Sequence, residues 1–227
     1  MSALVFTVGH STHSTQKLLG LLRRNGITAI ADVRSQPYSR MNPQFNRDPL
    51  KDALKAVGIS YVFLGRELGA RTDDLNCYVD GKVQYDRLAK TDVFQHGLTR
   101  VVNGTSRYRI ALHCAEKDPL TCHRAILVVR HLVARGLRAA HIHEDGRLEQ
   151  HDDALDRLLN EVGLSEQDFF KPRQALVDEA YAQRVAVGVT AVVVVEALGL
   201  PVLCISWPAV VLLNGAKNPG TSDYIIE

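Results

Sequence analysis

An excess of charge of either sign is missing from this 227-residue chain. Its 27 Lys and Arg stand against 25 Asp and Glu, giving net +2 and a pI near 8.4. That is too mild to point to nucleic acid by itself, because a clear electrostatic footprint takes a domain pI above ~9. Cysteine is scarce. Cys77, Cys114, Cys122 and Cys204 form no small secreted frame, which argues against a disulfide scaffold and for a reducing, cytoplasmic interior. Aromatics reach only 6%. The N-terminus, MSALVFTVGHS, has no basic segment and only a short apolar run, so it does not read as a signal peptide. With 46% hydrophobic residues, disorder is excluded as well.

What is present is alternation. Apolar strands ALVFTV (3–8), TAIADV (28–33), ISYVFL (59–64), RYRIALHC (107–114) and RAAHIH (138–143) are separated by amphipathic stretches of helical length. Such alternation indicates βαβ units, hence an α/β fold with a largely parallel sheet of about five strands and flanking helices. The expected organisation is an α/β domain over 1–163, a C-terminal helix over 164–184 and an apolar extension over 185–227. From Val185 to Leu213 the only charge is Glu196, and the stretch is long enough to cross a bilayer. Glu196 in its middle, Pro201, Pro208 and a valine run argue against a membrane partner. A buried extension, or one covered in an oligomer, fits better.

In parallel sheets ligands sit beyond the carboxyl ends of the strands, and here the polar residues gather at those ends. Strand one runs into His10, Ser11 and Thr12. Strand two ends at Asp32, Arg34, Ser39 and Arg40, and strand three runs into Arg66 and Glu67. Strand four delivers Cys114 and Glu116, followed by Cys122, His123 and Arg124. The motifs TVGHST (7–12), DVRSQPYSR (32–40), YVFLGRELG (61–69) and HCAEKDPLTCHR (113–124) together resemble the domain of unknown function 488 family, over roughly residues 4 to 182. The resemblance implies an α/β domain with a site built from Gly9, His10, Ser11, Asp32, Arg34, Pro37, Ser39, Arg40, Gly65, Leu68, Gly69, Cys114, Glu116, Cys122, His123 and Arg124. It implies no particular reaction. The tail departs from the pattern after about residue 184.

Four chemistries compete for these residues. An anion site would use Ser11, Ser39, Arg34, Arg40, Arg66 and Arg124, with the helix expected to open at Asp118-Pro119. The bland alternative pairs the arginines with Asp32, Glu67 and Glu116 in a solvated rim, and makes Asp118 only a cap. An acid–base pair would join His10 to Asp32 or Glu116. A cysteine nucleophile, Cys114 or Cys122, would be activated by a neighbouring cation. The Cys-x5-Arg phosphatase loop is excluded because position 120 is Leu120, and Cys122 also suits an apolar helix face with Ala125, Ile126 and Val129. Zinc receives thin support: a Cys-to-Cys spacing of eight is no recognised knuckle, and adjacent Cys and His rarely reach one ion. No residue is therefore assigned as a metal ligand, and the cofactor stays unknown. Gly9-His10-Ser11 is not the dinucleotide fingerprint, which argues against a nicotinamide cofactor.

The leading expectation is an enzyme acting on a small phosphate-bearing or nucleotide-like substrate. Its catalytic groups would be His10, Asp32, Glu116 and Cys114, with Arg34, Arg40 and Arg124 among the anion ligands. The alternatives are a cysteine-thiolate or zinc-dependent enzyme, and a non-catalytic module binding nucleotide or nucleic acid.

Overall fold

The computed structural model describes residues 2–190 apart from 167 and 169. In chain order its regular elements are β1 (Leu4–Gly9), α1 (Thr15–Arg24), β2 (Ala29–Asp32), α2 (Arg47–Lys55), β3 (Ser60–Phe63) and the short α3 (Gly65–Leu68). A two-residue hairpin follows, β4 (Tyr78–Val79) with β5 (Lys82–Val83), then α4 (Tyr85–Leu88) and α5 (Asp92–Gly104). The chain continues through β6 (Ile110–Cys114), a π-helical stretch (Arg124–Val129) leading into α6 (Arg130–Ala134), then β7 (Arg138–Ile142), β8 (Leu148–Gln150), α7 (His151–Glu161) and α8 (Arg173–Thr190).

The sheet has six strands in the order β3-β2-β6-β1-β7-β8, all parallel except the antiparallel edge strand β8. The α/β expectation holds, with β8 as the addition that a three-residue segment gave no periodicity to announce. Side chains alternate across each strand, so one face carries Phe6, Val8, Ile30 and Ala111 against α1 and α2. The other carries Val5, Ala31, Leu112 and Cys114 against α5 and the 124–134 helix. In α1 the buried Leu18, Leu21 and Leu22 have helical spacing, and each contributes about 1.5–3 kcal/mol on burial. Ser14 caps this helix by accepting from the Lys17 N–H.

After β1 the chain crosses on one face of the sheet, and after the adjacent β6 it crosses on the other. The crevice between the carboxyl ends of β1 and β6 is therefore the topological switch point, where ligands bind in open α/β sheets.

Three local expectations change. The helix expected to open at Asp118-Pro119 is only a 3₁₀ turn over Pro119–Thr121; the chain extends at Cys122 (φ −126°, ψ 137°) before the longer helix begins. Asp48-Pro49 repeats the Asp-Pro pair of 118–119 and reads as a second helix opening, but α2 begins earlier, at Arg47, with Asp48 inside its first turn behind Asn46. The C-terminal helix begins at Arg173 and runs to Thr190. Beyond that, the apolar extension lies outside the described residues. No helix among the described residues is long and apolar enough to cross a membrane.

Candidate functional site

At the switch point the ends of β1 and β6 stay zipped past the strands: the His10 N–H donates to the Cys114 carbonyl (3.0 Å) and the Ser11 N–H to the Ala115 carbonyl (2.9 Å). A Cβ on Gly9 would fall 1.8 Å from the Glu116 carbonyl oxygen, so the two loops can lie this close only over a glycine. Ser11 takes positive φ (46°) to turn the chain away. Arg124 locks the arrangement from below. It is 0% exposed and donates to the carbonyls of Glu116 (2.7 Å) and Lys117 (3.1 Å).

Two clusters flank this crevice, one on each face of the sheet. Asp32 and Val33 are neighbours in sequence, as are His113 and Cys114, so alternation sends one member of each pair to each side. On the α1–α2 face, Arg34 grips both oxygens of Asp32, Nε to Oδ1 at 2.9 Å and Nη2 to Oδ2 at 2.6 Å. The same guanidinium donates to the Phe45 carbonyl (2.9 Å) and to His10 Nε2 (3.4 Å). The Tyr61 hydroxyl donates to Asp32 Oδ2 (2.8 Å), and His113 Nδ1 stands 3.6 Å from Oδ1. Asp32 is 0% exposed, and these donors hold its carboxyl far below the usual range despite the opposing effect of burial. His10 stacks on Phe45 (4.4 Å) and donates from Nδ1 to the Ser11 carbonyl (2.8 Å). Burial, and then His113, push His10 down to about 3. It is therefore neutral, and its remaining lone pair faces a guanidinium. This cluster is satisfied from within except at His113, whose two buried ring nitrogens have no hydrogen-bond partner.

On the opposite face, Cys114 from β6 meets Cys122 and His123. His123 donates from Nε2 to the Val33 carbonyl (2.9 Å), which turns Nδ1 toward both sulfurs, 3.8 Å from Cys114 and 3.9 Å from Cys122. The extended residue Cys122 followed by helical His123 makes this possible, because the change of backbone conformation lets adjacent side chains converge. The three donor atoms lie within 4.8 Å of one another. Burial would raise the Cys122 thiol, but Cys114, Arg124 and His123 outweigh it and hold Cys122 well below the ordinary thiol value. The hydrogen bond to Cys122 and burial drive Cys114 well above that value. His123 is raised by Cys122 against the effect of burial. These directions favour the thiolate form of Cys122, the thiol form of Cys114 and the protonated form of His123, with the buried Arg124 acting on Cys122 in the same sense. Both sulfurs are nearly covered, at 5% and 2% exposure, and His123 is the half-buried member through which the cluster reaches the surface.

The remaining expected residues scatter around this edge. Glu116 is exposed; burial of part of the carboxyl raises it, then the charge of Cys122. Arg40 and Arg66 are exposed. Ser39 builds its own loop, its N–H donating to Asn46 Oδ1 (2.7 Å) and its hydroxyl accepting from the Asn42 N–H (3.1 Å). Arg34 and Arg124 are both spoken for, by a carboxylate and by carbonyls. Asp118 pairs with Arg157 (2.9 Å), so neither it nor the short turn it caps presents a helix N-terminus to an anion. His113, Tyr61 and Phe45 join the site without having been assigned to it. Tyr61 and Phe45 stand out in the sequence as aromatics beside the basic loop that could stack a base; here Phe45 stacks on His10 instead, and Tyr61, two residues before Phe63, the register partner of Asp32, donates to Asp32. His141 and His151 form a separate buried string with Thr7 and Tyr181, at contacts of 2.8, 3.1 and 3.3 Å.

The model of the family described as domain of unknown function DUF488 matches residues 14–130, more than half of the chain. The matched span holds Asp32, Arg34, Cys114, Cys122, His123 and Arg124, while the TVGHST segment precedes it. No curated protein and no solved structure matches the chain.

Proposed function

The chain belongs to the DUF488 family, and from that premise we propose that it is an enzyme whose reactive centre is the Cys114–Cys122–His123 cluster at the carboxyl edge of the sheet. The observation that carries this reading is the orientation of His123. Its Nε2 is committed to the Val33 carbonyl, so Nδ1 addresses the two sulfurs, and a buried guanidinium stands close enough to lower Cys122 further. A buried arginine among carbonyls alone is expensive, and a thiolate beside it supplies the missing negative charge. In this reading Cys122 is the thiolate, Cys114 its hydrogen-bond donor and His123 its counter-ion. The Asp32–Arg34–Tyr61–His113 network is the rigid support that fixes the ends of β2 and β6. Glu116, exposed and raised, is the proton-transfer group at the rim.

The substrate is anionic, and a small phosphate-bearing or nucleotide-like molecule fits best. The exposed Arg40 and Arg66 supply the cations for it, in the segments following β2 and β3. Thiol reactivity tests the centre. Alkylation of each cysteine in the full chain, stripped with chelator and followed by peptide mass spectrometry across pH, should show Cys122 reacting with a pH midpoint well below that of Cys77. His123→Ala should move that midpoint upward. Equal midpoints for Cys122 and Cys77, untouched by His123→Ala, would remove the centre from consideration. For the substrate, phosphorylated nucleosides should raise the melting temperature of the wild type and not of Arg40→Ala/Arg66→Ala.

A further inference from the structure

We infer that Cys114, Cys122 and His123 form a three-ligand zinc site with an open fourth position. The inference rests on the reading of this cluster as the reactive centre and names the group its donor atoms would bind, with Cys114 and His123 releasing their protons as the ion enters. Tetrahedral zinc with Zn–S near 2.3 Å and Zn–N near 2.0–2.1 Å places a sulfur and a nitrogen donor about 3.5–3.6 Å apart and two sulfurs about 3.8 Å apart. The sulfur-to-Nδ1 distances here are 3.8 and 3.9 Å, and all three donor atoms fall within 4.8 Å of one another. A shift of a few tenths of an ångström would close the set on an ion.

The surroundings fit a metal as well. A zinc-bound histidine usually donates its other ring N–H to a carbonyl or carboxylate, fixing the tautomer that leaves a lone pair for the metal. His123 does this through its Nε2 bond to the Val33 carbonyl at 2.9 Å. That carbonyl is itself positioned by the sheet, because the Val33 N–H donates to the His113 carbonyl at 3.1 Å. The apolar wall around the sulfurs includes Tyr85. No fourth His, Cys, Asp or Glu joins the group among the described residues. Three protein ligands with one position left for water or substrate is the pattern of catalytic rather than structural zinc. Glu116 stands at the exposed side.

Sequence spacing argued the other way, for a stated reason: adjacent Cys and His rarely serve one ion. The extended backbone at Cys122 removes that objection here, because it separates the directions in which the two side chains leave the chain.

The test uses the full chain, purified without added metal and then titrated with zinc or cobalt(II). The expected result is one equivalent of zinc by elemental analysis, and with cobalt the intense visible bands and sulfur charge-transfer absorption of a four-coordinate thiolate site. Cys114→Ser, Cys122→Ser and His123→Ala should each lose the cobalt spectrum, while Cys77→Ser keeps it. Circular dichroism of each variant separates loss of a ligand from loss of the fold, and Cys122→His, which retains a nitrogen donor, should keep binding with a shifted spectrum. Absence of the cobalt bands in the folded wild type, or zinc retained undiminished by Cys122→Ser, overturns the site. If the metal-stripped chain shows the low alkylation midpoint of Cys122 but binds no metal, only the zinc inference falls. An ordinary midpoint and no metal together would end both.

Discussion

Asp32→Asn removes the charge on which one half of the site is assembled. Wild-type Asp32 is wholly buried and accepts two bonds from the Arg34 side chain, one from Tyr61 and one from the Arg34 N–H. The asparagine keeps the shape and one acceptor oxygen, but it turns an NH2 donor toward donors and leaves the Arg34 guanidinium, 5% exposed, without a countercharge. Breaking a buried ion pair from one side costs ~3–5 kcal/mol, because the remaining charge stays buried. At about 2–4 °C per kcal/mol for a domain of this size, the melting temperature should fall by roughly 10 °C. Removing both charges, in Asp32→Asn/Arg34→Met, should be less damaging than Asp32→Asn alone. The sign of the pH dependence is fixed as well. Asp32 is depressed in the folded state, so its stabilisation is present above the unfolded carboxyl value near 4 and is lost as pH falls below it. The gap between wild type and Asp32→Asn should therefore narrow in acid. Urea denaturation at several pH values, read by circular dichroism, checks each part. A Asp32→Asn variant within about 1 kcal/mol of wild type at neutral pH would refute the reasoning, because a buried unpaired guanidinium cannot be that cheap.

The buried histidines act in a different window. His10 and His151 are lowered to about 3 and about 4 by burial, so the unfolded chain binds protons near 6.5 that the folded chain does not. Their contribution is complete above 6.5 and is lost on acidification toward the folded values. About 2 kcal/mol per histidine should be gone by pH 5, measurable as a falling denaturation midpoint between neutrality and pH 5. A flat profile over that range would contradict their neutral burial. Glycine substitutions give a paired prediction: Gly9→Ala, whose Cβ would meet the Glu116 carbonyl, should lower the melting temperature strongly or prevent folding, whereas Gly20→Ala, inside α1 with open space, should stabilise by about 0.5–1 kcal/mol.

Much of this site was legible before any coordinates. The carboxyl ends of β1, β2 and β6 were visible as apolar runs ending in Gly9-His10, Asp32-Val33-Arg34 and His113-Cys114, and a parallel sheet gathers such ends by rule. That Asp32 and Cys114 occupy opposite faces was not, because alternation fixes sides within a strand while the pairing of strands fixes which ends face one another. The register of Asp32 opposite His113 decides that, and it belongs to tertiary structure. The roles of the arginines were equally out of reach. Arg34 sits two residues from Asp32 and could as well have pointed outward; a guanidinium bound to three internal groups cannot also take a phosphate. The break at Cys122 had no glycine and no following proline to mark it. Without that break the cysteine would have lain on the apolar helix face with Ala125, Ile126 and Val129, and the spacing argument against a joint Cys–His site would have stood.

Ultraviolet difference titration of the thiolate, comparing the metal-stripped wild type with Cys122→Ser, measures the claim on which the rest depends. The account predicts one thiolate that persists below the ordinary thiol range in the wild type and vanishes in the variant. A titration in which both proteins develop thiolate absorbance only at the ordinary value, with no component assigned to Cys122, would contradict it.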